Sequence, residues 1–134
     1  MSGEWTLVQW AAMLSAILFA GLAVFQILLF LGRPLGAYSW GGRHPGVLPP
    51  RLRRQSLPAA VVLALIGLVF LSHGDVVSIG LPFPATRVMM WIFTAFLALN
   101  TLGNLASASP QEKRTMAPIS GVLCLIGLYI AIAA

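Results

Sequence analysis

The chain has 134 residues, of which 59% are hydrophobic and only 8% charged, about a third of the charged fraction usual in a soluble domain. That composition excludes a water-soluble globule, and the single cysteine, Cys124, excludes intramolecular disulfides, Cys-ligated clusters and dithiol redox chemistry. The net charge of +5, from 8 basic and 3 acidic side chains, bears first on orientation in a membrane and only then on partners.

Four apolar stretches lack Asp, Glu, Lys and Arg altogether, and such stretches of about 18 residues read as membrane-spanning helices. The first expected span, residues 5–31, is roughly 40 Å long as a helix, so it must tilt or protrude from a roughly 30 Å hydrocarbon core. Trp5 and Trp10 suit its outer interfacial belt. Met1 to Glu4 carries an acid and no base, unlike the basic start of a cleavable leader, so this helix is read as retained. A Gly/Pro/Arg-rich loop follows over 32–56, and the second span covers 57–73, with Ser56 as its expected N-cap and Pro58 in its first turn. An outer loop with Leu81-Pro82-Phe83-Pro84 leads to the third span, 88–106; the fourth, 116–133, carries Pro118 in its first turn. The fold class is an all-α, integral membrane four-helix bundle in a single domain, 1–134, and no internal repeat is evident.

Arg33, Arg43, Arg51, Arg53, Arg54, Lys113 and Arg114 fall on one side of this arrangement and Arg87 alone on the other. Basic residues gather in cytoplasmic loops, so both termini are expected outside the cytoplasm. The basic loop serves topology and contact with anionic lipid, and it is too short for nucleic-acid binding.

Titratable groups inside a span are functional candidates because they are costly there. Glu4, Asp75 and Glu112 all fall outside the apolar stretches, so no buried carboxylate of the kind that drives a small proton-coupled exporter is expected. His44 and His73 fall on opposite sides, which prevents joint ligation of haem or metal. No catalytic triad spacing is present, so neither an enzyme nor a cofactor is expected, and no metal site either.

Neutral polarity within the spans is more informative. Asn100 and Asn104, four residues apart, share a helix face, as do Ser15 and Gln26, eleven apart. Gln26 and Asn100 each lie five residues before the inner end of a helix, about 8 Å below that boundary, so they stand at one level. Two roles are open to them: interhelical hydrogen bonds that glue the bundle, or the floor of a pocket. The loop holds five glycines and four prolines between Gly32 and Arg51, which forbid regular helix and favour a series of turns. Tyr38 and Trp40 either anchor it in the headgroups or form a lid; as a lid, Arg33 and Arg43 offer guanidinium groups to an anion, and Gly41-Gly42 allows close backbone approach. Small residues recur as Ala12, Ala16 and Ala20 in the first helix and as Ser120, Cys124, Gly127 and Ala131 in the fourth, faces that let helices approach closely within the bundle or in an oligomer. Cys124 has no activating neighbour and is read as packing.

The segment Gly36 to Pro49, GAYSWGGRHPGVLP, followed by Arg51 and Arg53, and the segment Leu99 to Ser107, LNTLGNLAS, followed by Glu112, Lys113 and Pro118, resemble a family of small, uncharacterised four-helix proteins of the bacterial inner membrane. The resemblance spans nearly the whole chain and implies the fold and an inner (plasma) membrane location; it brings no activity, substrate or catalytic residue with it.

Both motifs fall on the cytoplasmic side of the expected topology. A candidate ligand site follows: Gln26, Asn100 and Asn104 as the floor, and Arg33, Tyr38, Trp40, Arg43 and His44 as the cover, of a pocket for a lipid headgroup or small anion. Two function classes stand. The leading one is an accessory or interaction protein docking to itself or to a larger membrane complex; the alternative is an inner-leaflet lipid or small-molecule binder or transporter.

Overall fold

The computed structural model describes residues 3–134; Met1 and Ser2, part of the segment read above against a cleavable leader, lie outside them. It is an all-α bundle of four helices, α1 (Leu7–Phe30), α2 (Pro50–His73), α3 (Phe83–Leu105) and α4 (Pro110–Ala133). All four are long and apolar enough to cross a membrane. Two short 3-10 turns, Gly36–Tyr38 and Trp40–Gly42, lie in the α1–α2 loop.

Local chemistry sets the helix limits. Thr6 caps α1 through a reciprocal capping box with Gln9. At the other end Gly32, at φ 88°, closes a Schellman motif in which the Gly32 and Arg33 N–H groups donate to Leu29 O and Leu28 O. Arg53 adds two side-chain donors to the Phe30 carbonyl, at 3.3 and 3.2 Å, so one of the basic loop residues is held as a helix C-cap.

Three helices start earlier than their apolar stretches, α3 among them: it begins at Phe83 with Pro84 in its first turn, so part of the expected outer loop is helical. α2 begins at Pro50 and α4 at Pro110, each with proline in the first turn. Pro58 and Pro118 therefore lie inside helices. Ser56 is not an N-cap: it is buried within α2, and its hydroxyl donates back to Leu52 O. The basic residues Arg51, Arg53 and Arg54 ride on the first turns of α2, which shortens the irregular loop.

α1 pairs chiefly with α2 and α3 chiefly with α4, and the two hairpins meet through α1–α4 and α2–α3 contacts. Small residues set the approach within the first hairpin. A Cβ on Gly74 would fall 2.5 Å from the Ala12 Cβ, and one on Gly67 would fall 3.3 Å from Phe19. Phe19 and Phe70 meet edge to face at 5.0 Å in the main core, with Ile66, Met90, Leu97, Leu123 and Ile130. Gly127 passes against Thr94 and Phe70. A second apolar cluster, Leu29, Leu48 and Leu52 with Phe25 and Leu35, seats the loop on the bundle.

The antiparallel order puts the α1–α2 loop and the α3–α4 turn at one end, and both termini and the α2–α3 loop at the other. Gln9 Nε2 donates to Asp75 O at the termini end. Seven of the eight basic residues belong to the loop end.

Candidate functional site

The Gly/Pro-rich loop folds as a closed arch. The Gly36 N–H donates to Gly46 O, and a Cβ on Gly36 would lie 1.8 Å from His44 O, so only glycine fits there. The arch is tied to the start of α4: Ser109 Oγ donates to Ala37 O, and Gly42 lies so close to Ser109 that an added Cβ would come within 2.5 Å of the Ser109 Cβ. Of the glycine pair, Gly42 thus permits the close approach of loop to helix, while Gly41 has open space around it and a φ of 68° that favours glycine.

Beneath the arch is a cavity of about 350 Å3, lined from all four helices and from the loop, within the range of roughly 300–1,000 Å3 typical of small-molecule sites. Gln26, Tyr38, Asn100 and Asn104, from three distant stretches of sequence, all line it. Arg33, Trp40, Arg43 and His44 do not. Arg33 and Arg43 are exposed, and Trp40, 45% exposed at φ 55°, points its backbone through the left-handed region at the end of the molecule. His44 is half-buried and meets Gly36 through its carbonyl.

On the α3–α4 side, Asn100 Nδ2 and Asn104 Nδ2 both donate to Ser120 Oγ, each at 2.9 Å. One buried hydroxyl thereby accepts two amides and joins α3 to α4. The amide oxygens of Asn100 and Asn104 and the side chain of Gln26 make no hydrogen bond to any described residue. Ser39 Oγ, also in the lining, is buried without a hydrogen-bond partner.

Glu112 corrects the expectation that no carboxylate is buried. It is 7% exposed, lies on α4 one turn before Met116 and two before Ser120, and faces the cavity with them. The Ser109-Pro110-Gln111-Glu112 segment has the S-x-x-E capping pattern, and the Glu112 N–H does donate to Ser109 Oγ at 3.4 Å. The reciprocal half is missing, because the Ser109 N–H is held by Ser107 Oγ at 3.0 Å. The Glu112 carboxylate is left for the cavity, near the positive end of α4 that favours it. The capping pattern, with proline at the first helical position, is the signal that would have placed Glu112 on a helix.

His44 and His73 stand at opposite ends of the bundle. His73, 3% exposed, stacks on Phe83 at 4.4 Å and meets Thr86 Oγ1 through Nδ1 at 2.7 Å. The Thr86 hydroxyl also lies within hydrogen-bond distance of Phe83 O, at 3.1 Å. No group of three or more His, Cys, Asp or Glu that could hold a metal occurs among the described residues.

No family model, no curated protein and no solved structure matches this chain. Fold and hydropathy define it as a four-helix membrane protein, with a partly open cavity that carries several polar groups at the loop end.

Proposed function

We propose that this is a multi-pass protein of the bacterial inner membrane that binds a lipid or other small amphiphile in the cavity under the loop, with the loop end cytoplasmic and both termini outside. The observation that carries the reading is the convergence of Gln26, Tyr38, Asn100 and Asn104 on one cavity with Glu112 and the unpartnered Ser39 hydroxyl. The exposed lining residues are on α2 and α3, among them Val62, Phe96 and Asn100. The cavity therefore opens sideways, toward lipid, through the seam between those helices. The basic residues at the loop end support the orientation. The two segments that carry the family resemblance supply Tyr38, Ser39, Asn100 and Asn104 to the lining.

An accessory or interaction role drew support from the small-residue stripes as docking faces. On α4 that stripe faces inward: Ser120, Gly127 and Ala131 are buried in the monomer, and Cys124 Sγ lies 3.7 Å from Thr94 O on α3. The binder reading needs no surface beyond the one the fold provides.

Native mass spectrometry of the gently extracted protein tests it. A defined low-mass adduct on the wild type, lost from folded Asn100→Leu, is expected. A bare protein, or an adduct indifferent to Asn100→Leu and to Gln26→Leu, would contradict the reading.

A further inference from the structure

The polar cavity has an apolar neighbour. A trough of about 440 Å3 runs between α2 and α3, lined by Leu65, Leu68, Val69, Met89 and Phe93, and it shares Val62 and Ile66 with the cavity under the loop. From Val62 to Val69 it follows α2 for roughly 10 Å toward the far end of the bundle. Almost no polar surface interrupts it, whereas the cavity it borders holds Glu112, Asn100, Asn104, Gln26, Tyr38 and Ser39. The two adjoin, a site with polar groups at the loop end and an apolar trough beside it, with Val62 and Ile66 bordering both.

The head site has one sign of charge. Glu112 is the only Asp, Glu, Lys or Arg in the lining; its carboxylate has no salt bridge or hydrogen bond to a described residue, and the Asn100 and Asn104 amide oxygens add further free acceptors. The guanidinium groups expected to receive an anion lie elsewhere. Those two, Arg33 and Arg43, are exposed, as are Arg51, Arg54, Lys113 and Arg114, where solvent and salt screen them over about 8–10 Å, and Arg53 is bound to the Phe30 carbonyl. An unpaired acid beside an apolar channel is costly unless a cation or strong donor meets it.

Resting on the cavity as a binding site, we propose that its occupant is an ammonium-headed amphiphile: the N–H donors of the head pair with Glu112 and the free amide oxygens, and the alkyl chain lies in the α2–α3 trough. Of the two occupants the sequence left open, a lipid headgroup or a small anion, this favours a headgroup, and a cationic one. Charge selects the head, and the shared neck at Val62 and Ile66 admits the chain.

The test is a titration of the full-length protein in a neutral maltoside detergent with tetradecylamine, tetradecanol and tetradecanoate, which share chain length and differ in head charge, read by native mass spectrometry. Tetradecylamine should bind the wild type roughly tenfold or more tightly than tetradecanoate, the ratio expected of one charge-assisted hydrogen bond. Glu112→Gln should abolish that preference. Val62→Trp, at a site 52% exposed and so tolerant of bulk, should weaken tetradecylamine binding while the fold is kept. Equal or tighter binding of tetradecanoate to the wild type would overturn the proposal and leave the cavity a binding site. So would a preference that survives in folded Glu112→Gln. Failure of all three probes to bind would overturn both this proposal and the reading on which it rests.

Discussion

Ser120 has one oxygen, and two amides donate to it. Its replacement by alanine strands both Asn100 and Asn104 N–H groups next to hydrocarbon, and Ser120→Ala should lose about 1–3 kcal/mol of stability, read as a lower midpoint of thermal unfolding in detergent. Gln26 is the contrasting case in the same lining, since it makes no hydrogen bond to a described residue. Gln26→Leu should leave stability within about 0.5 kcal/mol of the wild type, and so the midpoint nearly unchanged, while reducing occupancy of the cavity. Asn100 and Asn104 thus combine packing glue through their N–H groups with free oxygens at the cavity, whereas Gln26 lines the cavity alone; from the sequence both roles were open for all three. Gly127 shows what a single methyl costs in the core. A Cβ there would stand 2.7 Å from Thr94 Oγ1 and 3.2 Å from Phe70 Cζ, so Gly127→Ala should destabilise by about 1–3 kcal/mol through overpacking, measurable in the same melt.

At the scale of elements, the starts of α2 and α4 were the least legible part of the chain. Hydropathy marks where a helix becomes apolar, while the helix itself starts where its backbone donors are satisfied. In both cases that point is a proline eight residues upstream of the proline taken as the first-turn marker: Pro50 before Pro58, and Pro110 before Pro118. The internal prolines remove the donors that Arg54 O and Arg114 O would otherwise meet, and all four residues are exposed. The spacing of Asn100 and Asn104, the level of Gln26 and the turn-rich loop were readable because period and composition survive without coordinates. Glu112 was not, because it sits on a helical turn that carries charge and so escaped the apolar pattern. That turn also supports the loop. Ser109→Ala removes the cap of α4 and the tie to Ala37 together, and should cost about 0.5–2 kcal/mol and speed tryptic cleavage after Arg43. Gly36→Ala should speed the same cleavage further, since its Cβ would overlap His44 O; unchanged proteolysis in both variants would mean that the arch is held by something else.

For the whole molecule, two helical hairpins close on each other through few contacts between α2 and α3, and the seam so formed carries both the mouth of the cavity and the apolar trough. The seven basic residues at the loop end put that mouth at the level of the inner leaflet if the positive-inside bias sets the topology. A reporter fused to either terminus should then be active only outside the cytoplasm, and a cytoplasmic signal from either end would reverse the orientation. The four spans and their antiparallel order were legible from composition alone. The cavity was not, because it depends on how far the hairpins stand apart, which no local pattern encodes. The most direct measurement is a density map of the protein in its native lipids. Continuous density should run from Glu112, between Asn100 and Gln26, past Val62 into the α2–α3 trough. A trough filled by the protein's own side chains, with Glu112 bonded to the loop above it, would contradict the account.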